Sequence, residues 1–249
     1  MTAITLGHAP LALLTIPFVP LPAQESWPYL ALSVAVHTGY QLSLMMAYRL
    51  GEFTQVYPIA RGSGPALVSI VSVSILGVIL LPQQLLAIAF IVAGIFSLTL
   101  LKQSDGLRNF KAVGAALLTG CFIAGYSLLD GLGARAAGTA FGYIAWMTVI
   151  NALVFSVLIG IFNPPALKQV FVAGQKTLWI GGSASVLAYV LVVWAMTQAP
   201  IALVTALRET STIFALLFGV VFLKEKLTFG KLTATALVLG GVLLLRTSG

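Results

Sequence analysis

The chain has 249 residues, of which 59% are hydrophobic and 8% are charged, and its mean hydropathy is +1.06. Soluble domains carry about 25% charged residues, so this composition excludes a water-soluble globular domain and indicates an integral membrane protein. The net charge of +7 does not point to nucleic acid, because the Lys and Arg residues lie in short loops between apolar segments, as the positive-inside rule expects.

Nine apolar segments follow one another along the chain, each long enough for an α-helix to cross ~30 Å of hydrocarbon. We therefore predict an all-α membrane protein, a polytopic bundle of about nine transmembrane helices, with spans at 3–22, 28–50, 54–76, 83–101, 109–132, 138–162, 177–197, 200–223 and 229–246. The first span is crowded by prolines, and the longest connection, residues 163–176, is too short for a soluble domain. Any chemistry is thus expected among the helices.

An internal repeat relates the two halves of the chain. An ungapped shift of 147 residues (208 minus 61) aligns residues 47–98 with 194–245 and places Arg61 on Arg208. The span at 109–132 then has no partner in the sequence. We predict two inverted five-helix repeats, the first incomplete: residues 1–103 with four helices and residues 104–249 with five. Inverted repeats with an odd number of helices build many alternating-access transporters.

Arg61 and Arg208 each lie inside a predicted span. A guanidinium at the bilayer centre costs roughly 2.5–3.5 kcal/mol on insertion scales, so such residues face protein, water or a ligand. Arg61 either binds an anionic group of a substrate or forms a buried pair with Asp130 or Glu209; snorkelling to the interface is a third option. Pro65 removes the backbone donor for the carbonyl of Arg61, which predicts an irregular backbone there.

The acidic residues allow similar alternatives. Glu209 follows Arg208 directly, and neighbours on a helix point about 100° apart, so we predict that the two do not pair with each other and that each contacts a different neighbouring helix. Glu209 is either a proton site or a structural counter-ion. Asp130 precedes Gly131-Leu132-Gly133, and we predict an interfacial cap or loop role for it rather than contact with substrate.

Two further positions complete the predicted site. His37 and Gln41 share a helix face at i, i+4, where they line a cavity or bond neighbouring helices. Tyr57 lies one turn from Arg61. The predicted substrate-binding residues are Arg61, Arg208, Glu209, Tyr57, His37 and Gln41, with Asn151 and Thr205 as weaker candidates. Two histidines and one cysteine, Cys121, offer no metal cluster, so no metal or cofactor is expected.

Motifs in both halves carry a family resemblance: Ala47-Tyr48-Arg49-Leu50-Gly51-Glu52, Val56-Tyr57-Pro58-Ile59-Ala60-Arg61-Gly62 and Pro65, then Trp194-Ala195, Ala199-Pro200, Phe222-Leu223-Lys224-Glu225-Lys226-Leu227 and Gly240-Gly241. With these motifs the chain resembles EamA-type transporters of the drug/metabolite transporter superfamily. The resemblance implies a ten-helix inner-membrane transporter of metabolites, amino acids or drugs, with both termini in the cytoplasm. This chain lacks the first helix, has Val78 where an acidic residue is expected, and carries loop charges that favour the reverse orientation.

We therefore expect a multi-pass secondary transporter in the cell inner (cytoplasmic) membrane that moves a small metabolite, amino-acid-like or otherwise anionic or zwitterionic, by alternating access. No Gly-rich nucleotide loop is present, so ATP is not expected to drive transport directly, and exchange or ion coupling is implied. The chain is not expected to be an enzyme, because its two histidines, His8 and His37, and its isolated cysteine offer no nucleophile–base or metal constellation. The expected partners are a small-molecule substrate, the lipid bilayer, a coupling proton or counter-substrate and, as one option, a second copy in a homodimer. No nucleic acid is expected. The alternatives are a non-transporting truncated remnant, an accessory subunit, or a lipid-carrier flippase whose arginines meet a phosphate.

Overall fold

The computed structural model describes residues 2–51, 53–100, 110–211, 214 and 229–247. Within these residues there are ten α-helices and no strand, which confirms the predicted all-α fold class. The helices are α1 Thr2–Thr15, α2 Trp27–Leu50, α3 Phe53–Ser74, α4 Pro82–Leu100, α5 Phe110–Ala136, α6 Ala140–Phe162, α7 Pro164–Val172, α8 Gly182–Gln198, α9 Ile201–Arg208 and α10 Phe229–Thr247. A π-helical turn, Thr177–Gly181, leads into α8. The motif around Glu225 and the loop charges at Lys102, Arg108, Lys224 and Lys226 lie outside the described residues.

The length and composition of these helices suit a bilayer. In the described part of the chain, four helical stretches are long and apolar enough to cross one: Gln24–Leu50, Phe110–Ala136, Ala140–Phe162 and Thr177–Gln198. Three shorter apolar stretches are Thr2–Phe18, Pro82–Ser97 and Leu232–Leu245. Large apolar side chains such as Ile79 and Phe18 are almost fully exposed, as expected where lipid replaces water as the solvent. The chain is a multi-pass membrane protein.

The predicted first span and the predicted connection at 163–176 differ from the structure. The first span was expected to reach residue 22, but α1 ends at Thr15 and a short 3₁₀ turn, Ile16–Phe18, follows. Proline at positions 17, 20 and 22 supplies no backbone donor, so the helix does not continue there. The segment 163–176 was expected to be a loop, but it contains α7, whose first turn Asn163 caps by accepting from the N–H of Ala166.

Contacts between residues divide the chain into two compact units. Unit 1 comprises Met1–Gln41 and Gly125–Gln198, and unit 2 comprises Leu42–Ala124 and Ala199–Gly249. Helices α2 and α5 therefore contribute residues to both units. Each unit draws on both halves of the sequence, so this division is a different one from the predicted repeat at 1–103 and 104–249, which stays a prediction.

Each unit has its own core. In unit 1, side chains from α2, α5, α6 and α8 and from the turn after α5 form a buried cluster: Leu30, Val34, Ala134, Ala137, Tyr143, Ile144, Met147 and Val193. In unit 2, α4 packs closely on α10, because Gly94 lets α4 approach the side chain of Val238 and the backbone of Ala234. Close helix contacts at small residues are the usual means of association in lipid, where burial of apolar surface gives little driving force.

A glycine in unit 1 gives a direct test of this packing. A Cβ on Gly7 of α1 would lie 1.9 Å from the carbonyl oxygen of Leu178, and one on Gly182 would lie 2.5 Å from the Cα of Gly7. Both obstacles are backbone atoms, so Gly7→Ala is expected to destabilise the protein by about 1–3 kcal/mol, the usual cost of overpacking. Thermal unfolding in detergent measures this. Gly114→Ala, where a Cβ meets nothing within 4 Å, is the control, and equal melting temperatures for the two variants would contradict the packing.

Candidate functional site

The predicted arginine of the first half forms an ion pair in unit 2. Arg61, on α3, donates from Nε to Oε2 of Glu209 at 3.0 Å and from Nη2 to Oγ of Ser211 at 3.3 Å. The Glu209 side chain is fully buried, whereas that of Arg61 is 22% exposed. Of the alternatives that the sequence left open for Arg61, the structure shows the buried pair with Glu209.

The second arginine lies beside the same carboxylate. Nε of Arg208 is 3.5 Å from Oε1 of Glu209, and the Arg208 side chain is 10% exposed. The two arginines related by the 147-residue shift thus approach opposite oxygens of Glu209. Two positive charges and one negative charge give these three side chains a net formal charge of +1. The prediction that Arg208 and Glu209 do not pair with each other is wrong, whereas Glu209 does contact a different helix, α3, through Arg61.

A helix interruption lies inside the predicted span 200–223. Helix α9 ends at Arg208, and the N–H groups of Glu209 and Thr210 turn back to the carbonyls of Ala206 and Leu207 at 3.1 and 3.0 Å. These are i to i+3 bonds, typical of a 3₁₀ turn, so the backbone here is not the continuous α-helix that the sequence predicted.

The irregular backbone lies at a different place from the one predicted. The sequence placed it at Arg61 because of Pro65, but α3 is continuous from Phe53 to Ser74. The interruption is at Glu209 and Thr210 instead. Irregular backbone at membrane depth is tolerated where it is buried in protein or lines a cavity, and broken helices form the binding sites of many transporters.

Tyr57 lies next to this cluster, as its position one turn before Arg61 predicts. Its ring centroid is 6.0 Å from the Cζ of Arg61, within the range of a cation–π contact. The structure therefore brings Tyr57, Arg61, Arg208 and Glu209 together in unit 2. We call these four residues the arginine cluster.

The other two predicted site residues, His37 and Gln41, belong to unit 1. Nε2 of Gln41 donates to Oδ1 of Asn151 at 3.0 Å and to Oγ1 of Thr5 at 3.2 Å. Gln41 thus joins α2 to α6 and α1, which agrees with the interhelical alternative for this residue. His37 does not bond either residue; its Nε2 lies 2.9 Å from Oδ2 of Asp130.

Asp130 is more deeply buried and has more hydrogen-bond partners than its sequence context predicted. It was predicted to be an interfacial cap or loop residue, but α5 continues to Ala136 and the Asp130 side chain is fully buried. Besides the contact with His37, Asp130 accepts hydrogen bonds from three hydroxyl groups: Ser33, Tyr143 at 3.2 Å and Tyr189 at 2.5 Å. The sequence did contain a signal for this role, because Asp130 is the one carboxylate in a 27-residue apolar helix. A carboxylate in such a place is costly and requires partners.

Aromatic rings enclose His37 beside Asp130. The imidazole stacks on Tyr126 with ring centroids 4.2 Å apart and an interplanar angle of 19°, and it meets the edge of the Tyr189 ring at 5.7 Å. We call this group the histidine–aspartate cluster. It comprises His37, Asp130 and the four residues that contact them, Ser33, Tyr126, Tyr143 and Tyr189. In the described residues no group of three or more His, Cys, Asp or Glu side chains could hold a metal ion.

Comparison with known proteins identifies the family. The model of the EamA-like transporter family matches residues 110–247, more than half of the chain. No curated protein gave a significant match. One solved crystal structure is similar with a TM-score of 0.77 over 98% of this chain and 87% of its own, at 18% sequence identity, which shows a shared fold. Because the family model covers most of the length, this multi-pass membrane protein belongs to the EamA-like transporter family.

Proposed function

We propose that the chain is a secondary transporter that moves a small anionic or zwitterionic metabolite, such as an amino-acid-like compound, across the cytoplasmic membrane by alternating access. In this proposal the arginine cluster binds the anionic group of the substrate. Family membership supports a membrane permease, and the arrangement of Arg61, Arg208 and Glu209 supports the charge of its substrate.

The observation that carries the proposal is the charge of the cluster. Glu209 lies between the two guanidinium groups, and a carboxylate or phosphate that approached the cluster would be attracted to both of these cations. Guanidinium groups bind such anions through paired, charge-assisted hydrogen bonds. The pairing is strong at a site that excludes water, because the effective dielectric constant is lower there.

Glu209 has a second role in this proposal, that of an internal counter-ion. It holds both arginines when no substrate is bound, which lowers the cost of keeping their charges inside the protein. Arg61 is the more exposed of the two, at 22% against 10%, so a substrate would reach it first. The ring of Tyr57 flanks the guanidinium and limits the directions of approach.

The test is a ligand-stabilisation screen on the purified full-length chain. Small carboxylates, phosphate esters and zwitterionic amino acids are compared with matched amides and amines by their effect on the melting temperature. We expect an anionic or zwitterionic compound to stabilise the protein by about 2.7 kcal/mol at a concentration of 100 times its Kd.

The variants decide whether the stabilisation comes from the arginine cluster. Arg208→Ala, or Arg208→Gln as a milder change, is expected to remove it, whereas Arg49→Ala at the exposed end of α2 keeps it. Stabilisation by amines alone, or an undiminished effect in both Arg208 variants, would contradict the proposed site.

A further inference from the structure

We infer that His37 and Asp130 form a proton-binding site in unit 1, with Nδ1 of His37 as the atom that gains and loses the proton. The hydrogen bonds of the histidine–aspartate cluster carry this inference. It is independent of the arginine cluster, which belongs to unit 2.

The carboxyl group of Asp130 is arranged as an ionised acceptor. Oδ1 accepts from the hydroxyls of Ser33 and Tyr143, and Oδ2 accepts from Tyr189 and contacts Nε2 of His37. An ionised carboxylate only accepts hydrogen bonds, whereas a protonated one must donate from one oxygen. Both oxygens are already surrounded by donors, so the cluster fits the ionised form.

This arrangement fixes the tautomer of His37. A carboxylate oxygen at 2.9 Å can only accept, so Nε2 of the imidazole carries a hydrogen in every protonation state of the ring. Nδ1 is then the nitrogen that takes up a proton from water. Proton uptake at Nδ1 converts the imidazole to an imidazolium and changes the charge of the His37–Asp130 pair from −1 to 0.

Two neighbours of His37 can contact an imidazolium. Asp130 supplies a negative charge within 3 Å, and the face of the Tyr126 ring, with its centroid 4.2 Å from that of the imidazole, suits a cation. A proton also reaches His37 more easily than Asp130, because the His37 side chain is 13% exposed while that of Asp130 is fully buried. The titratable groups that face the pair from the packed elements are His8 of α1, Tyr126 of α5, Tyr143 of α6 and Tyr189 of α8.

The site identifies the proton as the coupling ion of the transporter. This step rests on the proposed function. Histidine is the side chain whose ordinary charge change falls between about pH 5 and 8, so it responds to physiological proton gradients. Glu209 is already engaged by two guanidinium groups. Proton coupling is therefore assigned to His37 and Asp130 rather than to Glu209.

Nitrogen NMR of the full-length chain tests the proton site directly. The chain has two histidines, so His8→Asn leaves His37 as the observed ring. We expect the Nε2–H tautomer in mildly alkaline buffer and the imidazolium, with both nitrogens protonated, in mildly acidic buffer. A ring that stays neutral between about pH 5 and 8, or that carries its hydrogen on Nδ1 in alkaline buffer, would overturn the inference.

Proton-jump currents across proteoliposomes supply a second readout that needs no substrate. A step to acidic pH is expected to give a transient current in the wild type and none in His37→Gln. In Asp130→Asn the transient current at the same step should be smaller than in the wild type, because the negative charge beside the imidazole is lost. Asn keeps the volume of Asp, and retained NMR dispersion verifies its fold.

The two readouts separate the two proposals. Arg49→Ala, at the exposed end of α2, is the control and is expected to keep the proton current. If the ligand screen fails while the current still depends on His37, the proposed substrate site is wrong and the proton site stands. A current of full size in His37→Gln would refute the proton site whatever the screen finds.

Discussion

Glu209→Gln is expected to destabilise the protein by about 3–5 kcal/mol, the range measured when one partner of a buried ion pair is removed. The neutral amide leaves Arg61 and Arg208 facing each other across the position of the lost carboxylate, and the formal charge of the cluster rises from +1 to +2. Glutamine has nearly the same volume as glutamate, so the loss measures charge rather than packing. Chemical or thermal unfolding in detergent gives the value.

A matched control and a double variant complete that experiment. Glu25→Gln, at an exposed position before α2, is expected to change the stability by less than about 0.5 kcal/mol. Arg208→Gln combined with Glu209→Gln removes one charge of each sign and should be more stable than Glu209→Gln alone. A double variant whose losses simply add would show that Arg208 and Glu209 do not interact.

The Arg61 series is expected to have the largest effect on transport. Arg61→Ala removes a charged partner of the substrate, a change that costs about 2–5 kcal/mol in buried pairs and corresponds to at least about a 30-fold loss of affinity. Uptake of the compound identified by the ligand screen, measured in proteoliposomes, provides the readout. Normal membrane insertion of the variant shows that the loss is specific.

Arg61→Lys separates charge from geometry. Arg61 uses Nε for Glu209 and Nη2 for Ser211, and a lysine ammonium cannot place two donors in that planar arrangement. We expect the lysine variant to retain more transport than alanine but less than the wild type. Ser211→Ala removes a neutral acceptor, so a smaller loss, equivalent to about 0.5–1.5 kcal/mol, is expected. Wild-type transport by Arg61→Lys would show that the charge alone matters.

The shared carboxylate shows how far the sequence could predict this cluster. Two permanent charges in apolar spans, related by an internal repeat, were sufficient to select Arg61 and Arg208. The pair of Arg61 with Glu209 was one of the alternatives that the sequence left open. The approach of Arg208 to the same carboxylate was not predicted, because residues 208 and 209 were expected to lie on one continuous α-helix and to point in different directions. The backbone turns at Glu209 and Thr210 instead, and the sequence there contains no proline or glycine to mark it.

Asp130 illustrates the opposite error, in which glycines were given too much weight. Gly131 and Gly133 suggested that the helix ends, yet α5 continues to Ala136. A Cβ on Gly133 would lie 2.6 Å from the ring of Tyr143, so this glycine makes room for the side chain that bonds Asp130. A local sequence signal cannot separate a glycine that stops a helix from one that admits a neighbour, because the neighbour is distant in the sequence.

The bonds of Asp130 also have a consequence for biogenesis. Ser33 and His37 lie on α2, which precedes α5 in the chain, whereas Tyr143 and Tyr189 lie on helices that follow it, so α2 carries the partners of the carboxylate that are synthesised first. An isolated aspartate in the middle of a helix opposes membrane insertion by roughly 2.5–3.5 kcal/mol. Contacts with α2 would therefore be the first to offset this cost as α5 inserts.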